Sequence, residues 1–372
     1  MYEILTLNKI SKFGLDKLDA AKYAWADDYA APDAIMVRSA AMHEMKLDSK
    51  TVAVARCGAG TNNIPVEDYA GEGVVVFNTP GANANGVKEL VLCALLLSSR
   101  KIVPGIEWCK TLKGQGDAVG KAVEKGKSAF VGPEIKGKTL GIIGLGAIGR
   151  MVADAAVALG MNVIGYDPFP VKGVNEQVQV VTSTAPVFEA ADYITLHAPA
   201  TPETKGMINK DSIATMKDGV RILNFARGDL VVADDILAAL AEGKAAAYAT
   251  DFPTDALLGA DGVIAIPHLG ASTPESEDNC AIMAAEELTA YIETGAIRNS
   301  VNYPNAPLSA DFTVRTCVLH KAEAAEAVAA ALGEVAFAGA KKGYAYTVAD
   351  KVADVAALEA MDGVVRVRVL QK

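Results

Sequence analysis

The stretch that most constrains the fold is a run of three spaced glycines, Gly144, Gly146 and Gly149, between two apolar segments. The segment before it, TLGII, predicts a strand, and the segment after it, RMVADAAVALG, predicts a helix. In such a setting the first glycine permits a tight turn, the second lets a pyrophosphate approach the backbone, and the third lets the helix pack on the strand. The amides of Ala147 and Ile148, at the helix N-terminus, would face the phosphates. The pattern predicts a dinucleotide site.

A carboxylate ends the next apolar run, NVIGYD, and belongs to the same pattern. This residue, Asp167, follows Gly149 at the distance at which dinucleotide-binding folds place an acidic residue. A carboxylate there accepts hydrogen bonds from the adenosine ribose hydroxyls and repels a 2′-phosphate. The sequence therefore predicts NAD rather than NADP as the cofactor. The alternative is a solvated aspartate at a strand end.

Short apolar runs alternate with helical patterns on both sides of the glycine-rich turn. In the first third they lie at 2–7, 34–38, 51–56 and 73–78, and a second series begins at residue 139. This alternation predicts an α/β fold with two doubly wound, Rossmann-like domains. Helices are predicted over 85–100, 150–159, 234–242 and 275–293. The Lys/Gly-rich passage 101–138 predicts a connection, and NSVNYPNAP predicts a linker.

The end of the chain predicts a small third module. Its pattern is strand 312–319, helix 321–332, strand 334–338, strand 343–349, helix 355–361 and strand 363–370. This order is that of a ferredoxin-like α+β module. The predicted domains are a substrate-binding domain over 1–98 completed by 280–305, a cofactor domain over 99–279, and the small module over 306–372.

Composition excludes several classes of function. The 372 residues include 35 Lys and Arg against 45 Asp and Glu, a net charge of −10 without a basic run, which disfavours nucleic-acid and acidic-membrane partners. The longest apolar run, Leu90–Leu97, is too short to span a bilayer, and MYEILTLNKI does not have the pattern of a secretory signal. Five cysteines without a C-x-x-C pair favour reduced thiols in the cytoplasm over disulfides or a metal site.

Three polar residues follow successive predicted strands of the second series. Arg227 follows VRILNFA, Asp255 follows AAAYATD, and His268 follows GVIAIP. The carboxyl ends of parallel strands meet at one edge of a sheet, where open α/β sheets bind ligands. An arginine binds a carboxylate bidentately, an imidazole exchanges a proton with a hydroxyl or carbonyl oxygen, and a carboxylate orients the imidazole. The set suits hydride transfer at a hydroxyl-bearing carbon, although polar residues are also common at strand ends in general.

Several separated motifs resemble the D-isomer-specific 2-hydroxyacid dehydrogenases. They are VARCGAGTNNI, NTPGANANGVKEL, HAPATPETKGMIN, ILNFARGDLV and IPHLGASTPESEDN, and the resemblance covers about residues 1–305. It implies that Arg227 is the catalytic arginine, His268 the acid/base and Asp255 the carboxylate paired with it. The other implied contacts are with the substrate carboxylate, at Ala59 and Gly60, and with the cofactor, at Pro199, Ala226 and Asp251.

The stretch VRSA at 37–40 resembles the members of the family that act on phosphoglycerate, and it implies that Arg38 meets a substrate phosphate. Arg56 either joins Arg38 there or pairs with a carboxylate at the rim. The implied activity is NAD-dependent oxidation of a small phosphorylated hydroxy acid by a homo-oligomer, a dimer or a tetramer. The alternatives are another D-2-hydroxyacid dehydrogenase, a hydroxypyruvate or glyoxylate reductase, and a non-catalytic NAD-sensing protein.

Two features depart from the family pattern. The family's partner to the histidine is usually a glutamate followed by proline, whereas here Asp255 precedes Ala256 in a segment one residue shorter, so that Asp251 and Asp255 could exchange roles. The tail resembles an ACT domain, with a regulatory or oligomerisation role. Its first loop, VLHKAEAAEAVAAAL, lacks the glycine that serine-binding versions use before the helix, which leaves the effector open.

Overall fold

The computed structural model describes residues 1–372, which divide into two compact units. The first unit comprises Met1–Asn83 and Pro274–Lys372, and the second comprises Ala84–Thr273. The predicted boundary after residue 98 lies at the wrong end of a helix, Ala84–Ser99, because that helix packs in the second unit. No helix is both long enough and apolar enough to cross a membrane.

The first unit begins with a parallel sheet of five strands in the order β2-β1-β3-β4-β5. The elements are β1 (Tyr2–Leu7), α1 (Lys12–Leu15), β2 (Tyr23–Ala26), β3 (Ala34–Val37), β4 (Ala53–Arg56), α2 (Val66–Gly71) and β5 (Val75–Asn78). Strand β3 is buried along its whole length, as expected of an apolar run covered on both faces. The sequence did not predict β2, an edge strand that reads YAWA without a clear apolar pattern.

The second unit contains a parallel sheet of seven strands in the order β12-β11-β10-β9-β6-β7-β8. The elements are α3 (Ala84–Ser99), α4 (Ile102–Thr111), α5 (Val119–Gly126), β6 (Thr139–Ile143), α6 (Ala147–Ala158), β7 (Asn162–Tyr166), β8 (Val178–Val181), α7 (Ala185–Ala190), β9 (Tyr193–Leu196), α8 (Lys210–Thr215), β10 (Val220–Asn224), α9 (Ala233–Ala241), β11 (Ala245–Thr250) and β12 (Val263–Ala265). Strand order reverses beside β6, the position at which such sheets bind nucleotides. The predicted doubly wound α/β fold is confirmed.

The passage predicted as a connection, 101–138, instead contains the helices α4 and α5. Neither helix buries a residue, and the side chains of Ile102 and Ile106 are 46% and 51% exposed. Pro104 and Gly105 inside α4, and Gly120 inside α5, are residues that weaken a helical pattern in sequence. The prediction was wrong for that reason.

The chain returns to the first unit through α10 (Pro274–Thr294), which buries Cys280, Ala284 and Leu288 against the first sheet. The next segment was predicted as a linker, but it is packed. The Asn302 side chain accepts a hydrogen bond from the Val76 amide at 3.0 Å and donates one to the Val74 carbonyl at 2.9 Å. Asn302 therefore makes buried hydrogen bonds at β5, which the composition of the segment NSVNYPNAP alone does not reveal.

The C-terminal module has the predicted βαββαβ order. Its elements are β13 (Val314–Lys321), α11 (Ala325–Leu332), β14 (Phe337–Lys341), β15 (Tyr344–Ala349), α12 (Val355–Glu359) and β16 (Val364–Gln371). The antiparallel sheet has the order β14-β15-β13-β16, and β14 begins three residues later than predicted, after Gly333 ends α11 with a positive φ of 72°.

The module shares its core with the rest of the first unit. Leu319 and Tyr346 from its sheet pack in one hydrophobic cluster with Phe77 and Leu288. At its edge Arg366 donates to the carbonyls of Ser49 and Glu72 at 3.0 and 3.1 Å. Arg368 donates to the carbonyls of Tyr291 and Ile292 at 3.4 and 3.1 Å. The compact unit therefore includes residues 306–372, which the sequence predicted as a separate module.

Candidate active site

The glycine-rich turn between β6 and α6 is shaped by close approaches of the backbone. Gly144 has φ 97°, and a Cβ atom there would lie 2.7 Å from the His197 carbonyl oxygen. A Cβ atom at Gly149 would lie 1.9 Å from the Gly144 carbonyl oxygen. A Cβ atom at Gly146 would have no neighbouring atom within 4 Å, so a ligand can reach the backbone there. The three positions match the three roles expected of a dinucleotide turn.

Helix α6 begins at this turn without a side-chain cap. Gly146 is its N-cap residue and has no side chain to accept from the first amides, which include those of Ala147 and Ile148. The uncapped amides and the helix dipole favour an anion at this point. A cavity of about 600 Å³ adjoins the turn and is lined in part by Gly146, Asp167 and Pro199. These residues fit the pyrophosphate and ribose of NAD.

Asp167 follows β7 and is fixed by two backbone amides. Its Oδ2 accepts from the Leu145 amide at 2.8 Å, and its Oδ1 accepts from the Phe169 amide at 2.9 Å. Each carboxylate oxygen has a further lone pair, which leaves acceptors for the two hydroxyls of a ribose. The side chain is thereby held in place before any ligand arrives.

His197 also lines this cavity, although its sequence context did not single it out as a site residue. Burial lowers the pKa of its imidazole to about 4, so the ring is neutral at physiological pH. One ring nitrogen, Nε2, lies 3.1 Å from the Thr195 hydroxyl, while Nδ1 has no hydrogen-bond partner. A neutral imidazole adds no charge to the cavity, and the residue's carbonyl packs against the glycine turn.

Arg227 and Ala226 follow β10 and are held by a buried asparagine. The Asn224 side chain is 0% exposed, donates to the Arg227 carbonyl at 2.9 Å and accepts from the Ala226 amide at 3.3 Å. The Arg227 side chain is exposed, and its Nη1 donates to the Ala226 carbonyl at 2.6 Å. Asn224 thus fixes the backbone from which the guanidinium extends.

His268 lies in a cavity of about 510 Å³ together with Asp251, Phe252 and Tyr248. Its ring meets the Phe252 ring edge to face, with centroids 5.0 Å apart. The Asp251 side chain is 1% exposed. Burial raises the Asp251 pKa, and the charge of His268, the backbone amides of Gly270 and Asp251, and the charge of Arg227 oppose that rise. Asp251 therefore lies within electrostatic reach of both predicted catalytic side chains.

Asp255 is placed differently. It is exposed, and it is not among the residues that line the His268 cavity. It lies within a turn in which the Leu257 amide donates to the Thr254 carbonyl at 3.0 Å. The structure thus brings Asp251, and not Asp255, to His268, in keeping with the exchange that the shortened segment left open.

The remaining predicted residues lie in the first unit. The Arg38 side chain follows β3 and forms an ion pair with Glu277, which the sequence analysis did not single out. In the loop after β4, the Ala59 carbonyl accepts from Asn78 Nδ2 at 2.6 Å. The Arg56 guanidinium lies over the same loop, since a Cβ atom at Gly58 would fall 1.3 Å from its Nη1.

The two arginines of the first unit have a common neighbour. Burial raises the pKa of the Cys280 thiol, and the positive charges of Arg56 and Arg38 oppose that rise. Both guanidinium groups are therefore near the first turns of α10.

Comparison with known proteins bears on this geometry. The model of the D-isomer specific 2-hydroxyacid dehydrogenase NAD binding domain matches residues 93–270. A hydroxypyruvate reductase of Thermotoga maritima is 38% identical over 250 residues, 63% of this chain and 76% of that protein. The chain belongs to the D-isomer-specific 2-hydroxyacid dehydrogenase family. The matched residues lie within the second unit, and the cofactor is NAD, as predicted.

Two further matches are to 3-phosphoglycerate dehydrogenases. A D-3-phosphoglycerate dehydrogenase of Methanocaldococcus jannaschii is 39% identical over 266 residues, 69% of this chain and 49% of that protein. The structure of a 3-phosphoglycerate dehydrogenase with NAD⁺ from Entamoeba histolytica matches with a TM-score of 0.63 at 27% identity, covering 81% of this chain and 98% of that one. The chain spans about half the length of the first curated relatives, between 49% and 59%.

Proposed function

We propose that this chain catalyses the NAD-dependent oxidation of 3-phospho-D-glycerate to 3-phosphohydroxypyruvate, the first step of phosphorylated L-serine biosynthesis. The observation that carries the reaction class is the convergence of Asp251 and Arg227 on His268 at the carboxyl edge of the NAD-binding sheet. The phosphorylated substrate is supported by Arg38 and by the names of the relatives.

In the direction of oxidation, His268 takes the proton of the C2 hydroxyl. Bound NAD would supply the acceptor for the hydride of C2, so that removal of the proton by His268 leaves a carbonyl at C2. Arg227 binds the substrate carboxylate and stabilises charge on the reacting oxygen. Asp251 orients the imidazole and stabilises its protonated form, which is the role of a buried carboxylate beside a catalytic histidine. In the reverse direction His268 returns the proton to the carbonyl oxygen.

Binding of the substrate is divided between its two charged ends. We assign the carboxylate to the loop amides near Ala59 and Gly60 together with Arg227. We assign the phosphate to Arg38, whose resting partner is Glu277. A phosphate dianion has more charge and more acceptor oxygens than the Glu277 carboxylate, so it competes well for the guanidinium. An unphosphorylated hydroxy acid has no group for this position.

The decisive experiment is NADH oxidation with phosphohydroxypyruvate, hydroxypyruvate and 2-oxoglutarate, for the unmodified chain and Arg38→Ala. Charge-assisted hydrogen bonds contribute ~1.5–3 kcal/mol each, so the substitution should raise KM for phosphohydroxypyruvate by roughly tenfold to a hundredfold. KM for hydroxypyruvate should change little, which makes it the internal control. Preference of the unmodified chain for hydroxypyruvate would instead identify a reductase. NADH binding without turnover of any substrate would identify a sensor.

We further propose that the chain is a cytoplasmic homo-oligomer. All five cysteines are unpaired thiols, which fits a reducing compartment. The helices α4 and α5 bury no residue of their own, and the passage 100–138 carries nine Lys and Arg against four Asp and Glu in a chain of net charge −10. An apolar, basic pair of helices on an acidic chain is complementary to a second copy.

A further inference from the structure

A buried carboxyl on α10 has no role in the proposed chemistry. Glu287 is 1% exposed, and its Oε1 accepts a hydrogen bond from Asn299 Nδ2 at 2.7 Å. Its other oxygen, Oε2, is buried without a hydrogen-bond partner. An ionised carboxylate in such surroundings loses hydration without full compensation, whereas the protonated acid loses much less. The strength of the hydrogen bond between Glu287 and Asn299 therefore depends on the protonation state of Glu287.

Glu287 is connected to the substrate loop by hydrogen bonds. Asn299 has φ 58°, a left-handed conformation that asparagine tolerates, and its carbonyl accepts from the Asn78 amide at 3.3 Å. The Asn78 side chain in turn donates to the Ala59 carbonyl at 2.6 Å. An unbroken path thus leads from the carboxyl on α10 to the loop after β4.

The loop is also close to the carboxyl through space. Cys57, its first residue, is buried, and burial together with the charges of Cys280 and Glu287 raises the pKa of its thiol to about 12. The Thr79 amide donates to the Gly58 carbonyl at 3.0 Å and fixes the other side of the loop. Glu287 therefore lies behind the loop Cys57–Gly60.

Few charged groups act on Glu287 itself. Burial raises its pKa to about 7; the Asn299 hydrogen bond and the charge of Arg298 oppose the rise, and the charge of Glu286 adds to it. The Cys57 thiol is the titratable neighbour on the side of β4, and it stays protonated in this range. The carboxyl thus changes charge near neutral pH while its surroundings do not.

We propose that Glu287 is a positioning residue for the loop Cys57–Gly60. When ionised, its Oε1 accepts a charge-assisted hydrogen bond from Asn299 and, through Asn78, holds the Ala59 carbonyl, so that the loop amides face the substrate carboxylate. When protonated, it holds Asn299 less strongly and loosens this path. The inference rests on the proposed function, which assigns those loop amides to the substrate.

The test compares KM for phosphohydroxypyruvate between about pH 6 and about pH 8.5 in the unmodified chain, Glu287→Gln and Glu286→Gln. The unmodified chain should show KM falling roughly threefold to tenfold as pH rises through neutrality, with a smaller change in kcat. Glu287→Gln should keep the higher KM throughout, because glutamine is a neutral, weaker acceptor and cannot ionise. Glu286→Gln removes an exposed charge from the adjacent position and should show the same change in KM, with its midpoint moved slightly to lower pH because the charge of Glu286 adds to the rise of the Glu287 pKa. His268 is present in all three, so its own effect on the profile is common to them.

A second measurement does not depend on turnover. Amide hydrogen exchange of residues 56–60 should be roughly threefold slower in the unmodified chain than in Glu287→Gln at about pH 8, and equal at about pH 6. Asn78→Ser cuts the path at its other end and should give a raised KM that no longer varies through neutrality. Identical KM profiles and identical exchange in the unmodified chain and Glu287→Gln would overturn the proposal. An exchange difference without turnover of any hydroxy acid would refute the proposed function while supporting the link between Glu287 and the loop.

Discussion

Two aspartates in one short loop differ in what they touch. Asp251 is buried beside His268 and Arg227, whereas Asp255 is exposed. Asp251→Asn should lower kcat roughly tenfold to a hundredfold, because the imidazole loses both its orientation and its compensating charge. Asp255→Asn is the matched control and should stay within about twofold of the unmodified chain. Steady-state kinetics with phosphohydroxypyruvate decides between them, and the opposite ranking would return the role to Asp255.

Glu277 competes with a substrate phosphate for the Arg38 guanidinium. Because its carboxylate already pairs with the guanidinium, Glu277→Gln should lower KM for phosphohydroxypyruvate by roughly twofold to fivefold and leave hydroxypyruvate unchanged. Glu275→Gln removes an exposed charge from the same helical turn and serves as the control. An equal effect of both variants would mean that phosphate binding responds to the total charge at the start of α10 and not to the ion pair between Glu277 and Arg38.

Glu287 also makes stability depend on pH, with a definite sign. Its pKa is raised from 4.5 to about 7 in the folded chain, so the folded state binds the proton more tightly than the unfolded state. The free energy of unfolding should therefore fall as pH rises from about 4.5 to about 7, by ~2–3 kcal/mol from this group, and then level off. Urea denaturation of Glu287→Gln should lack this fall. A parallel pH dependence in both proteins would contradict the raised pKa.

At the scale of elements, two glycines inside helices should respond in opposite directions to alanine. Gly149→Ala in α6 places a methyl group against the Gly144 carbonyl and should destabilise the chain by ~1–3 kcal/mol and weaken NADH binding. Gly120→Ala in α5 meets no atom within 4 Å and should be neutral or stabilising by up to ~1 kcal/mol. Thermal denaturation and NADH titration measure both effects. Equal losses would mean that the close approach at Gly149 is relaxed by movement of α6.

The elements that the sequence predicts best are those whose residue pattern has one physical cause. Buried parallel strands such as β3 and β10 read as apolar runs because both faces are covered, and the glycine turn reads as a motif because backbone contacts require it. The helix α4 was missed because Pro104 and Gly105 interrupt its helical pattern and it buries no residue that would reveal an apolar face. The choice between Asp251 and Asp255 depends on the path of one loop, which spacing does not determine. Glu277 and Glu287 act through partners that only the folded chain brings close.

For the molecule as a whole, the apolar helices α4 and α5 predict the oligomeric state. Ile106 is 51% exposed on α4, and the tilted rings of Trp108 and Phe130, with centroids 5.2 Å apart, line the same surface cavity. Ile106→Asp should reduce the mass measured by light scattering to that of a smaller species, because a charge cannot be buried there without a partner. Leu159→Asp changes an equally apolar residue, 44% exposed at the end of α6, and should leave the mass unchanged. Dissociation by Leu159→Asp alone would place the interface elsewhere.

The way in which the C-terminal module is attached has a consequence for its evolution. Arg366 donates to the main-chain carbonyls of Ser49 and Glu72, whereas Arg368 donates to those of Tyr291 and Ile292 and also lies over the Tyr291 ring, 4.5 Å from its centroid. A carbonyl is present whatever side chain the residue carries, so mutations at positions 49 and 72 leave the hydrogen bonds of Arg366 intact. At that contact selection acts on the arginine alone, while Arg368 can covary with Tyr291. Correlated substitutions among homologues would thus reveal the Arg368 contact and fail to reveal the Arg366 contact.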